Sequence, residues 1–452
     1  MNTTPVYNRI AAAVPVVLWL AFMSAVVVES DVYRYAAITL TIITAVTCQA
    51  DCRRVMRDWL AVLCVAWAAY ALIRFLFEYI AFGEHGASEW LYVFPAFFPI
   101  LGVALAATWK SVERALFALF TIAVLLFVVL TPYRSIAAGE QISPLLHHNS
   151  IHGAVGCGFL FLGVFHFMAH QIEVGAARRA RTVAIALALV IMAFALFNIY
   201  GAKSKGVWLA MLPALATMVI CAFVYIRQTH VRTAMIALLG IVVVGSYLVR
   251  ANVEKVALAT FNSVAGIGTR LYDGDSLIAV MKDAIASNGT PTSLDERLQL
   301  WTNALEVLKV HPIFGSGNGW LTIWHTTDYA GVPYTLIHNG YLEILVRYGF
   351  VGLGIFVFIL AATIYRLHRA ALVGVISKSA FSCYLTFVIY FCFTILSNSN
   401  NRLAIGESFV LLCGALTFAC TLRMRDRARD IKLSTATGLE GGMIGQGGSH
   451  RG

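Results

Sequence analysis

The chain has 452 residues, of which 60% are hydrophobic and only 12% charged, and its formal net charge is +10. Soluble proteins carry roughly 25% charged residues, so this composition excludes a soluble globular enzyme, a disordered chain and a collagen-like fibre. The nine cysteines lie in or beside apolar stretches, with no CxxC pair and no histidine-flanked cluster, which supports neither a disulfide framework nor a zinc site.

A helix that crosses a bilayer needs about 20 mostly apolar residues. Twelve such runs follow one another, at 10–28, 33–50, 59–82, 90–109, 113–131, 151–172, 182–200, 206–226, 232–251, 339–365, 379–397 and 403–422. The first has no small-residue cleavage site behind it and reads as a retained span. With a cytoplasmic N-terminus, the inner connections hold about 19 Lys and Arg, concentrated at Arg53, Arg54 and Arg57, at Arg178, Arg179 and Arg181, and from Arg423 to Lys432. The short outer connections hold five: Arg34, Arg134, Lys203, Lys205 and Arg402. Basic residues in short loops set orientation. The expectation is an all-α polytopic membrane protein of about 12 transmembrane helices with both termini inside. The net positive charge is then an orientation signal, with no nucleic-acid partner implied.

Residues 1–251 carry spans one to nine in this reading, 252–337 an outer segment, 338–423 spans ten to twelve, and 424–452 a basic tail expected to be disordered. The outer segment holds five Lys and Arg against eight Asp and Glu over 86 residues, and a connection that long has structure or function of its own. Ser293-Leu294-Asp295-Glu296 fits a capping box, with Ser293 as N-cap and Glu296 reaching back to its amide. Leu298, Trp301, Leu305 and Leu308 follow at helical spacing, His311-Pro312 closes that helix, and Gly315, Gly317 and Gly319 mark a turn-rich exit. A second, weaker amphipathic helix is expected from Asp275 to Ser287.

The residues that violate membrane rules are the candidates for chemistry. Lys203 and Lys205 sit in Gly201-Ala202-Lys203-Ser204-Lys205-Gly206, an outer turn. Such lysines can snorkel to lipid phosphates, or form an anion site with the N–H groups at the start of the next helix. Arg402 follows five small polar residues, Ser397 to Asn401, which are expensive near hydrocarbon unless they face water or protein. They could cap the last span or contact a ligand. Arg297 lies one turn before Trp301, either as a surface ion pair or as a third cation. His338 is at the outer mouth of span ten, with Asn339 beside it and Glu343 five residues on. Imidazole titrates near neutrality and can accept a proton at working pH. Glu343 and Arg347, four apart, are expected to pair or face a cavity; Arg74 and Glu78 are expected to form a structural pair. His147, His148 and His152 could chelate a metal, but lack an acidic or cysteine partner at ligand spacing and read better as vestibule lining. No metal or other cofactor is expected.

The chain resembles the O-antigen ligase family, within the wider group of lipid-linked polysaccharide ligases and polymerases. The resemblance rests on Lys203-Ser204-Lys205-Gly206, on Arg297, Trp301, Ala304, Leu305 and the run His311 to Gly317, and on His338-Asn339-Gly340-Tyr341-Leu342 with Gly349. Family members usually carry Ser-Arg-Gly where this chain has Ser204-Lys205-Gly206, so charge is kept and bidentate geometry lost. The resemblance implies a glycosyltransferase of the membrane-embedded C-like class in lipopolysaccharide biosynthesis. It would sit in the bacterial inner membrane with its active site on the periplasmic side. The donor would be a glycan on undecaprenyl pyrophosphate, and the acceptor a sugar hydroxyl of lipid A-core. Lys203, Lys205, Arg297 and Arg402 would bind the donor pyrophosphate and His338 would act as general base, supported by Asn339, Tyr341, Glu343 and Asn401. A repeat-unit polymerase or an O-linked protein oligosaccharyltransferase would share the donor site. A transporter is disfavoured, because its ionisable residues belong at the membrane midplane and within internal repeats.

Overall fold

The computed structural model describes residues 4–86, 89–226, 228–287 and 289–444; Arg227 and residues 445–452 of the expected tail lie outside the described residues. The described chain is helical, with one isolated bridge between Val28 and Leu146. Its first part comprises α1 (Thr4–Met23), α2 (Val32–Thr47), α3 (Gln49–Val55), α4 (Trp59–Phe82), α5 (Phe98–Ala107), α6 (Trp109–Leu130), α7 (Tyr133–Ala137), α8 (Ser150–Glu173), α9 (Arg178–Ala202) and α10 (Lys205–Val224). The remainder comprises α11 (Thr229–Leu248), α12 (Arg250–Tyr272), α13 (Leu277–Ala286), α14 (Thr292–Val310), α15 (Trp320–Trp324), α16 (Gly340–Leu372), α17 (Lys378–Thr394) and α18 (Ala404–Ile444).

Every apolar run is helical, yet the count of twelve spans is not reached. Among the described residues seven helices are long and apolar enough to cross a membrane, and nine result if each of two bent pairs is one span. The pairs are α2 with α3, bent by 105°, and α11 with α12, bent by 75°. Three further apolar stretches, Ala13–Val26, Leu91–Ala107 and Lys378–Thr394, are helices of only 10–17 residues. At 1.5 Å per residue these rise less than the roughly 30 Å of a hydrocarbon core. Composition alone cannot see such interruptions: Pro95 sits in a 3-10 turn ahead of α5, and the polar run from Ser397 replaces what would have been the last turn of α17. The chain also stays helical through 424–444, which the sequence reading assigned to a disordered tail.

The bundle is organised around α8, which packs on α9 and α17 and is buried over most of its length. Its glycines explain the close packing. A Cβ on Gly156 would stand 2.3 Å from the Val26 carbonyl, and one on Gly158 would stand 2.0 Å from the Tyr390 hydroxyl. Small residues that let helices approach are the means of packing where lipid tails are as apolar as the side chains.

The 252–337 segment is built on α12 to α15. Residues 252–272, for which no helix is expected, continue α12, because Val256, Thr260, Ser263 and Ile267 recur at helical spacing and form one half-buried stripe. The expected helix at 275–287 is α13, capped by the Ser276 side chain on Ala279 N–H (3.3 Å). The capping box is corrected: Pro291, whose ring presets the backbone for a helix start, is the N-cap of α14, Ser293 lies inside the helix, and Glu296 instead accepts a hydrogen bond from the Tyr334 hydroxyl. His311 does end α14. This helix is buried on two sides rather than one. Leu300, Ala304 and Val307 pack with Trp320, Trp324 and Val346, while Leu294 and Leu298 pack with Met281.

The 252–337 segment is fastened to the helix bundle at a break in α16. Gly349 there has φ 62° and ψ −164°, which favours glycine, and a Cβ would stand 2.3 Å from the Ile313 carbonyl. Across the break, Phe350 and Val351 N–H donate to the carbonyls of Pro312 (2.9 Å) and Ile313 (3.1 Å), and Ser316 N–H donates to Val346 (2.8 Å). Arg74 and Glu78 form the expected pair at 2.7 Å and serve the same joint: Arg74 donates to the Gly315 carbonyl (2.9 Å) and Glu78 accepts from Asn318 N–H.

Candidate active site

His338 lies in the short link just before α16, and its backbone is held at each neighbour. Trp301 Nε1–H of α14 donates to the Ile337 carbonyl (3.1 Å), and Ile337 N–H donates to Glu343 Oε1 (3.1 Å). Asn339 is the N-cap of α16, its Oδ1 accepting from Tyr341 N–H (3.0 Å) and Leu342 N–H (3.2 Å). Gly340 N–H donates to Ile395 (2.7 Å) and the Tyr341 hydroxyl to Cys392 (3.0 Å), both on the α17 side. Between these anchors His338 takes φ 54°, a left-handed conformation rare for a residue with a Cβ. Such strain survives only where the surroundings over-determine it.

The imidazole is half-buried, with Nδ1 at 3.2 Å from Asn398 Oδ1 and the Tyr334 ring edge-on at a centroid distance of 5.9 Å. Burial lowers its pKa below the ordinary histidine value, and the positive charge of Arg297 adds to that, against the opposing Asn398 bond and the carboxylates of Glu343 and Glu296. The ring is therefore neutral at pH 7, the protonation state of a base. Tyr334 is pushed up to about 12 by burial and by its bond to Glu296, so its hydroxyl keeps its proton.

The expected donor-binding cations are held in different states. Arg297 of α14 is half-buried, and among the described residues no carboxylate lies within ion-pair distance of it. Burial disfavours its charged form, although a guanidinium remains a cation in any protein. Its charge bears on both His338 and Lys205, so Arg297 is within electrostatic reach of each. Lys205, the first residue of α10, donates from Nζ to Thr260 Oγ1 of α12 (2.8 Å) and has no acidic partner among the described residues. Arg402 is bound to Glu343 at 2.9 Å. Lys203 behaves differently: it is the left-handed C-cap of α9, with φ 51°, and its ammonium donates to the Gly139 carbonyl.

Glu343 is the junction of the site. Fully buried, it accepts from Ile337 N–H and from the Ser399 hydroxyl (3.0 Å) on Oε1, and from Arg347 and Arg402 on Oε2. The expected pairing with Arg347 is present, and the Arg347 guanidinium also lies 4.5 Å from the Trp320 ring centre. The one carboxylate thus binds two arginines, one from its own helix and one from the polar run before α18. Asn401 packs against the start of α16, where a Cβ on Gly340 would stand 2.6 Å from its Oδ1. Sequence reasoning missed Asn398, Tyr334 and Thr260. Asn398 lay within the polar run already marked as costly, and Thr260 lay on a stripe that the low hydropathy of 250–272 concealed.

The remaining histidines form a separate group. His152 Nδ1 is 3.1 Å from Glu29, whose second oxygen accepts from His148 N–H, and His147 Nε2 contacts the Val26 carbonyl (3.3 Å). Among the described residues no three His, Cys, Asp or Glu side chains converge on a common metal position.

An all-helical bundle with seven to nine apolar candidate spans among the described residues defines a polytopic membrane protein. Residues 187–357 match the family model described as O-Antigen ligase, so the chain contains an O-antigen ligase family domain. The match takes in Lys203, Lys205, Arg297, His338 and Glu343 but ends before Asn398 and Arg402. No curated protein sequence matches the chain.

Proposed function

We propose that the protein transfers a polysaccharide from undecaprenyl pyrophosphate to a sugar hydroxyl of lipid A-core, at a periplasmic site of the inner membrane and with both termini cytoplasmic. The observation that carries this reading is Arg297, a half-buried cation without an acid partner among the described residues, within reach of both Lys205 and His338. A structural guanidinium at that depth would be paired, because an uncompensated buried charge is costly. A site for an incoming dianion leaves its cations open.

The chemistry follows from that placement. His338 Nε2 takes the proton of the acceptor hydroxyl as its oxygen bonds to the anomeric carbon. The bond from that carbon to the donor phosphate oxygen breaks, and the diphosphate departs with the electron pair. Direct displacement inverts the anomeric centre. Arg297 and Lys205, with Arg402, stabilise the departing anion by preorganised electrostatics, so that the protein itself supplies the cations and needs no metal ion for the step. The Lys and Arg excess on the inner connections supports the orientation.

Reconstitution of the purified protein with a polyprenyl-diphosphate glycan and a core lipopolysaccharide acceptor tests the reading in one gel. Ligation of glycan to the acceptor is expected, and His338→Ala should lower the rate by 10²–10⁴, the usual contribution of a general base. Chain lengthening on the donor lipid alone would make the protein a polymerase instead. Undiminished transfer by a folded His338→Ala protein would remove the base.

A further inference from the structure

We infer that Asn398 is the positioning residue of His338, fixing the ring in the Nδ1–H tautomer so that the lone pair of Nε2 faces the acceptor hydroxyl; this rests on the reading of His338 as the base. The geometry gives each atom of the amide a single assignment. Asn398 is buried, its Oδ1 accepts from Ser399 N–H (3.0 Å), and its Nδ2 donates to Asn400 Oδ1 (2.8 Å). With the oxygen so oriented, the imidazole nitrogen at 3.2 Å must bring the proton. Nδ1 is then the donor, and Nε2, for which the described residues offer no partner, is the acceptor.

The run from Ser397 to Asn401 is thereby explained as a whole. Ser399 and Arg402 attach it to Glu343, Glu343 attaches it to the Ile337 amide, and Asn398 closes the circuit on the His338 ring. Backbone and side chain of the base are thus referred to one buried carboxylate. An amide in this place orients the ring without adding charge. A carboxylate there would hold the imidazolium and raise its pKa by 1–3 units, leaving the base protonated more of the time. The other charged and titratable groups that face the ring are Arg297 and Glu296 from α14, Tyr334 from the link, and Glu343 from α16.

The test is the pH dependence of transfer by the full-length reconstituted protein carrying Asn398→Asp or Asn398→Ala. Asn398→Asp keeps the shape and the acceptor oxygen, and should move the acidic limb of the kcat/KM profile up by at least one pH unit while keeping measurable turnover. Asn398→Ala frees the ring to take the other tautomer and should lower kcat at least tenfold, with the KM for each substrate changed less than threefold. An acidic limb that stays put in Asn398→Asp, or a loss confined to KM in Asn398→Ala, would overturn the assignment. A misfolded Asn398→Ala protein leaves the decision to the isosteric aspartate variant. If His338→Ala is inactive and Asn398→Asp does not shift the limb, only the positioning role fails; if His338→Ala transfers normally, the base reading fails and takes this inference with it.

Discussion

Replacing Glu343 by glutamine isolates the electrostatic part of the junction. The new amide can keep its oxygen toward Ile337 N–H and the Ser399 hydroxyl, since both are donors. Its NH2 must then face the guanidinium groups of Arg347 and Arg402, which offer only donors. Two charge-assisted bonds disappear, each worth about 1.5–3 kcal/mol, and the fully buried Arg347 guanidinium loses the Glu343 carboxylate that binds it. Breaking one side of a buried pair costs about 3–5 kcal/mol, so Glu343→Gln should destabilise the protein by that amount. The assay is reversible unfolding in mixed micelles, run as a double-mutant cycle with Arg347→Met. If the cost is the broken Glu343–Arg347 pair, Arg347→Met added to Glu343→Gln should recover a large part of it, because the methionine places no charge in that buried position. A Glu343→Gln protein within 1 kcal/mol of the parent, or strictly additive effects in the cycle, would show that Glu343 holds nothing of consequence.

The two lysines of the α9–α10 turn should separate. Lys205→Ala is expected to lower kcat/KM for the donor by roughly 10²-fold or more, the scale seen when one preorganised donor to a developing anion is removed. Lys203→Ala should change it less than fivefold, because its ammonium is occupied by the Gly139 carbonyl; equal losses would place both on the diphosphate. The pH profile of the parent protein carries a sign as well. With the folded pKa of His338 lowered by burial and by Arg297, activity is present above that pKa and lost as pH falls through it. The acidic limb should then lie below the ordinary histidine value of about 6.5; a midpoint above it would mean that a carboxylate, rather than Arg297, dominates the ring.

The parts of this molecule that a sequence shows are those written in long or local patterns. The apolar runs are helical, and the i, i+4 pairs Arg74–Glu78 and Glu343–Arg347 have the form expected of them. Span length was less legible, since it depends on where a helix stops, and α17 stops because the residues after it are needed by Glu343 and His338. The cap of α14 was misread for a related reason. Glu296 satisfies the capping pattern locally, but the Tyr334 hydroxyl, 38 residues on, competes for the same carboxylate and wins. Local rules fail where a residue has a distant partner.

That failure points to the site. His338 in a left-handed conformation, Gly349 at a break in α16, and a string of small polar residues beside a membrane each contradict local preference. They are joined by one continuous set of bonds running from Gly315 through the α16 break to Glu343, Ser399 and Asn398. In the reaction we propose, a rigid frame of this kind suits a base that must meet a hydroxyl carried on one lipid and an anomeric carbon carried on another. Both substrates are tethered in the bilayer and arrive with restricted orientations, so the protein gains most by holding its own groups still. Proximity and alignment of that sort are worth about 7–11 kcal/mol of a barrier, more than any single cation in the site can supply.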